Sequence, residues 1–146
     1  MSTTSVNEEV LAQTYLIDYL SSDSSLMNLV NGVSGRSAWA SLKPPYVKVA
    51  RLDAADLFVI GPKRIWADLT YLVRGIDQWT GQDLPDWGPV QEIANRLDQL
   101  LQAHEVVTAD LELHSFREES FTDETVESGD LYLHAGGIYR VRAHAL

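Results

Sequence analysis

Apolar residues along the chain follow two rhythms, one at helical spacing and one that alternates. Leu11, Tyr15 and Tyr19 recur every four residues and are joined by Val10, Leu16, Ile17 and Leu20, which predicts an amphipathic helix over about residues 8–20. Asn7, ahead of Glu8 and Glu9, supplies a cap followed by acids that suit the positive end of a helix dipole. The polar residues 1–7 are expected to fray. Helical spacing returns in Val90, Ile93, Ala94, Leu97, Leu100 and Leu101, predicting a second helix over about residues 89–103 with Pro89 in its first turn. Between the helices, residues 21–32 read as a break, a short turn capped by Asp23 or Ser24, and a stop at Asn31-Gly32.

The alternating rhythm predicts strands. Tyr46, Val47 and Val49 mark a short one over residues 46–52, after an aperiodic stretch closed by Pro44-Pro45. The clearest covers residues 64–76. There Ile65, Ala67, Leu69, Tyr71 and Val73 share one face, and Arg64, Trp66, Asp68, Thr70, Leu72 and Arg74 share the other. A face that mixes charges with Trp66 and Leu72 is only partly open to water. Residues 53–63 (DAADLFVIGPK) read as a hairpin connection or protruding loop. Residues 106–116 read as one strand with Val107, Ala109, Leu111 and Leu113 on a side, and residues 118–130 as an acidic connection. Residues 131–146 read as two half-strands hinged at Gly136-Gly137, or one strand with a bulge there. The expected fold is α+β: a two-layer sandwich with a mostly antiparallel sheet of four to five strands and two main helices on one face.

Residues 77–89 (DQWTGQDLPDWGP) fit neither rhythm, yet hold two of the four tryptophans, Trp79 and Trp87. A large aromatic in a loop either folds onto its own core or meets a partner.

At 146 residues the chain suits one domain spanning residues 1–146. It has no cysteine, which removes disulfides and thiolate metal sites. No apolar run is long enough for a membrane helix, and the start lacks a signal-peptide pattern, so a soluble protein is expected. The net charge of −10 is lopsided: residues 1–73 hold six Lys/Arg and seven Asp/Glu, residues 74–146 five and fourteen. An acidic surface repels phosphate and argues against reading of DNA or RNA.

Candidate chemistry is sparse. Neither GxxxxGK[ST] nor GxGxxG occurs, and the serines at 21, 22, 24 and 25 suit caps rather than a nucleophile elbow. His114 beside Glu112, with His134 and His144 in the last strands, leaves open a metal or acid–base site across the sheet, but no HxH or HExxH spacing supports it. Asp110 and Glu112 lie in register to oppose Arg140 and Arg142 if their strands pair. No catalytic, cofactor-binding or metal-binding residue is assigned.

The order YLIDYLSSDSSLMNLVNG, PPYVKVARL, RIWADLTYLVRG, EIANRLDQLL and SGDLYLHAGGIYRVRA, over about residues 8–143, resembles the tail-terminator (tail-completion) proteins of long-tailed bacteriophages. The chain departs from that family in its Trp-rich loop at 77–89 and in residues 35–39. The resemblance implies a non-enzymatic subunit of a hexameric ring, with no cofactor. Such a ring caps the growing tail tube, ends its polymerisation and joins it to the head. The implied partners are further copies of the chain, the tail tube protein and a head-side neck or stopper protein, with DNA passing through the lumen unbound. The implied location is the virion tail or neck, and the host cytoplasm during assembly. Side chains expected at ring or tube interfaces are Trp79, Leu84, Trp87, Leu57, Phe58, Val59, Ile60 and Trp66. Three other readings stay open: another neck component, such as a head-completion or stopper protein; a small-ligand-binding domain or hydrolase with a pocket of His114, Glu112 and tyrosines; and an acidic inhibitor acting on a basic partner.

Overall fold

The computed structural model describes the backbone of residues 4–35, 42–60, 63–81 and 83–146, and the side chains within 8–35, 42–55, 66–81 and 83–146. Helix α1 (Thr4–Ser21) leads to a single turn, α2 (Ser24–Met27), and then to strands β1 (Val33–Ser34), β2 (Tyr46–Ile60) and β3 (Lys63–Trp79). Helix α3 (Gly88–Leu101) follows, then β4 (His104–Val107), β5 (Leu111–Glu127) and β6 (Asp130–Ala145). Among the described residues these strands form one sheet in the order β1-β2-β3-β6-β5-β4.

The expected two-layer sandwich with four to five antiparallel strands is therefore corrected. The chain is mostly β, with a six-stranded mixed sheet curled into a half-barrel. It is mixed because β1 runs parallel to β2, pairing Val33 with Val47. Three stretches read as connections or as one strand account for the difference. Residues 53–60 continue β2 as an arm paired with β3. Residues 118–127 continue β5 against β6, and a turn through Ser128 (φ 52°) and Gly129 (φ 85°) closes that hairpin. Residues 106–116 divide into two strands at Thr108, whose hydroxyl accepts from the amides of Asp110 and Leu111. Alternation fades where both faces of a strand meet water, as along Glu118–Glu124 of β5, and the outer arm of β2 carries a continuous apolar run, Leu57–Ile60, in place of alternation.

The helices lie where the spacing placed them, within a few residues. Helix α1 begins at Thr4, so Asn7 lies inside it and not at its cap. The Asp23 carboxylate caps α2, accepting from Leu26 N at 2.8 Å. It also binds the Arg96 guanidinium of α3 at 2.7 and 2.8 Å, and these bonds to the charged form hold its pKa below the usual carboxylate range.

One face of the sheet carries the core. Val47 and Val49 of β2, Leu69, Tyr71 and Val73 of β3, Leu113 of β5 and Tyr139 and Val141 of β6 pack against Ala12, Leu16 and Leu20 of α1 and Ile93, Leu97 and Leu101 of α3. Each fully buried aliphatic or aromatic side chain contributes about 1.5–3 kcal/mol. A row across this face, Arg51, Tyr71, Tyr139 and Arg117, is paired strand to strand. It docks the helices through Arg51–Glu9 at 3.1 Å, Arg117–Asp98 at 3.5 Å and a Tyr139 hydroxyl bond to Asp98 at 3.0 Å.

Both register shifts flank that row, with Leu52 bulged from β2 and Glu118 from β5. A bulge raises local twist and bends its strand, so two at one level help to curl the sheet. Strand β6 itself runs unbroken through Gly136-Gly137: the irregularity lies in β5, opposite Ile138–Tyr139. The glycine at 136 serves close approach, since a Cβ there would stand 2.0 Å from the Val73 carbonyl oxygen.

Candidate functional site

The outer face of the sheet gathers the remaining chemistry. Alternation turns Trp66 and Asp68 of β3, Arg140, Arg142 and His144 of β6, and Glu112, His114 and Phe116 of β5 away from the helices. The register sets Arg142 beside both Asp68 and His114, and Glu112 beside His144. The expected Asp110/Glu112 pairing with Arg140 and Arg142 does not form. Arg140 instead forms an ion pair with Glu118 at 2.7 Å and a hydrogen-bonded ion pair with Asp68 at 3.2 Å, and the Arg142 guanidinium lies 5.8 Å from the centroid of the Phe116 ring.

Trp66 sits between two histidines, with ring centroids 5.5 Å from His114 and 5.4 Å from His144. His114 faces Glu112 at 3.0 Å through Nε2 and Glu105 at 3.4 Å through Nδ1. These carboxylates approach opposite edges of the imidazole and so cannot share one ion with it. Among the described residues no three His, Asp or Glu side chains are grouped to hold a metal. His134 stands far along β6, bonded to Thr125 at 2.9 Å, so the three strand histidines do not converge.

A cavity of about 410 Å³ opens at this end of the sheet, lined by Trp66, Ala103, His104, Glu105, His114, Ser115, Phe116 and Arg142. Its size falls in the range of ligand and side-chain clefts. Tyrosines do not line it, but two stand behind His104. The Tyr15, Tyr19 and His104 rings are stacked, with Tyr19 and His104 centroids 4.2 Å apart. Burial pushes Tyr15 up to about 12 and lowers His104, so near neutral pH both groups are neutral, and the Tyr15 hydroxyl and His104 Nε2 share a hydrogen bond of 2.6 Å.

The expected interface side chains fall into three groups. Trp79 and Trp87 are half-buried and pack on Val90, Ala94, Leu131, Leu133 and Ala135, over the entry to α3. Trp79 Nε1 also donates to Asp83 O at 3.3 Å. Leu84, between them, is 90% exposed. Trp66 is half-buried against the histidines. Leu57, Phe58, Val59 and Ile60 lie on the outer arm of β2, and their side chains are outside the described residues.

That arm has a distinctive position. Strand β6 stops pairing with β3 at Ala67, opposite Ala143, whereas β2 and β3 remain paired outward through Leu57–Trp66, Val59–Arg64 and Ile60–Lys63. Outward of Ala67, β3 pairs with β2 alone among the described residues, a two-stranded ribbon with Trp66 at its root, while β6 and β5 stay paired with each other through Ala145.

Phe116, Glu105 and His104 were not singled out from the sequence, and Arg142 only as a cross-strand ion-pair partner. Period-two alternation puts Phe116 and Arg142 on one face, but only the β3–β6–β5 register brings them to Trp66. No helix among the described residues is long and apolar enough to cross a membrane. No known protein-family model matches the chain, and no curated protein matches it either.

Proposed function

We propose that the chain is a virion structural protein that forms a hexameric ring at the head-proximal end of a phage tail tube, ends tube polymerisation and joins tail to head. The observation that carries this reading is the two-stranded ribbon beyond Ala67 with the apolar run Leu57–Ile60 on one arm. An isolated two-stranded ribbon is marginal in water, and an apolar run on it is best covered by another molecule. The exposed Leu84 at the opposite end of β3 adds a second point of contact. Surfaces at different places on one subunit make head-to-tail contacts, which close into rings when the rotation allows.

In this reading the protein acts by shape, without turnover. One face meets the last ring of tube protein and the other a head-side neck protein, while the acidic second half keeps DNA sliding through the lumen unbound. Light scattering after size-exclusion chromatography, with negative-stain imaging beside tube protein, tests it. A mass of six chains, or rings capping tube ends, is the expected result. A monomer that leaves tube ends bare refutes it.

One observation favours a second reading, a small-ligand-binding domain: the cavity between Trp66, Phe116 and His114. A metabolite that shifts the Trp66 indole resonance at stoichiometric concentration, in a protein that never oligomerises, would select it.

A further inference from the structure

We propose that in the ring the ribbon of one copy lodges in the Trp66–Phe116 cavity of the next copy. The inference rests on the ring reading above and names the two surfaces that close it. Trp66 forms part of both, as root of one and wall of the other. The outermost pair, Ile60 with Lys63, stands three positions further along β3, about 10 Å away at strand rise. Pairing between the two arms through Ile60–Lys63 holds that stretch extended, and the cavity it enters in the ring belongs to a neighbour.

The two surfaces match in chemistry. On the ribbon, the sequence runs Leu57, Phe58, Val59, Ile60 and then, past residues 61–62, Lys63 and Arg64. In the cavity, Trp66 and Phe116 supply aromatic wall, and Glu105 stands at the rim with its side chain 74% exposed. Glu112 lies just beyond, shared with His114. The Arg142 guanidinium of the same wall is already engaged over Phe116, and His114 stands between its two glutamates. An apolar run followed by two cations therefore fits aromatic walls bordered by two carboxylates. Ribbon and cavity lie at different places on one chain, so the contact is head-to-tail and repeats around a closed ring.

Charge reversal tests the pairing in the full chain. Lys63→Glu with Arg64→Glu reverses the ribbon, and Glu105→Lys with Glu112→Lys reverses the cavity. If the Glu112 change unfolds the protein by circular dichroism, Glu105→Lys alone serves, because its side chain is mostly in solvent. Each reversed protein alone is expected to lose association at least about tenfold and to run as a monomer, like charges now facing each other. Mixed in equal amounts, the two should recover the wild-type ring mass, since each reversed ribbon then meets a reversed cavity and the unreversed surfaces meet each other.

A ring formed by either variant alone, or a mixture that stays monomeric, overturns the ribbon–cavity contact while leaving the ring itself standing. Variants that form rings alone but no longer cap tubes assign the cavity to tube protein and overturn it equally. A wild-type chain that stays monomeric with and without tube protein refutes the ring reading, and this inference with it.

Discussion

Two tyrosines in neighbouring strands meet burial differently. Tyr71 and Tyr139 face each other across β3 and β6, both are buried, and burial pushes both hydroxyls up. Tyr139 donates to Asp98, whereas the Tyr71 hydroxyl has no hydrogen-bond partner among the described residues. A buried polar group without a partner carries its desolvation cost uncompensated. Tyr71→Phe is therefore expected to be neutral or to stabilise by up to about 1 kcal/mol, and Tyr139→Phe to destabilise by about 1–2 kcal/mol. Urea unfolding of both variants checks the contrast, and equal losses would contradict it.

His134 gives a pH dependence with a definite sign. Burial, helped by Arg74, lowers its pKa in the folded protein. As pH falls through the ordinary histidine value of about 6.5, the unfolded chain takes up a proton that the folded chain refuses, so stability drops from there down to the lowered folded value. His104 is lowered by burial as well and acts in the same direction. In His134→Gln the fall in unfolding free energy below that pH should be shallower than in the parent, measured by denaturant titration at stepped pH.

At the scale of elements, the Trp-rich loop behaves as part of the fold. Trp79 and Trp87 cover the start of α3, while Leu84 between them packs on nothing comparable. Changing both tryptophans to serine should cost several kcal/mol in the monomer, within about 2–5 kcal/mol for partly buried aromatics. Leu84→Ser should leave monomer stability within about 0.5 kcal/mol and act on assembly alone. Thermal melts beside ring mass separate the two effects.

Both long helices and the core face of β3 were legible in the sequence because their apolar residues keep one period against one buried surface. Ala67, Leu69, Tyr71 and Val73 all lie in the core as their alternation required. The outer parts of β2 and β5 were not legible. In β2, Asp53 and Ala55 are exposed while Ala54 packs on the core; Glu118–Glu124 is largely wet on both sides, and polar residues there record an exposed edge, not a loop. The site was less legible still, because Trp66, His114, Phe116 and Arg142 come from three strands whose relative register no local pattern encodes.

For the whole molecule, charge is the readable quantity. Most of the excess of −10 lies after residue 73, much of it on the wet half of β5 and its hairpin: Glu118, Glu119, Asp123, Glu124, Glu127 and Asp130. Counterion release, the main source of non-specific DNA affinity, needs cations, and the bases on that hairpin are engaged, Arg117 with Asp98 and Arg140 with Asp68 and Glu118. Fluorescence anisotropy with a labelled DNA duplex should show no binding at physiological salt. Micromolar affinity there would argue against a passive channel wall.

The paired bulges separate two properties that usually change together in a sheet. Leu52 and Glu118 are surplus residues, each opposite no partner, and the strands resume the same facing on either side of them: Arg51 and Ala54 point inward around one, Arg117 and Ser120 around the other. Deleting both codons would keep every other side chain on its present side while relaxing the coil of the strands. The gene can thus retune the curvature of its product, and with it the radius of any assembly, by losing or gaining a triplet at two places without rewriting what each surface displays.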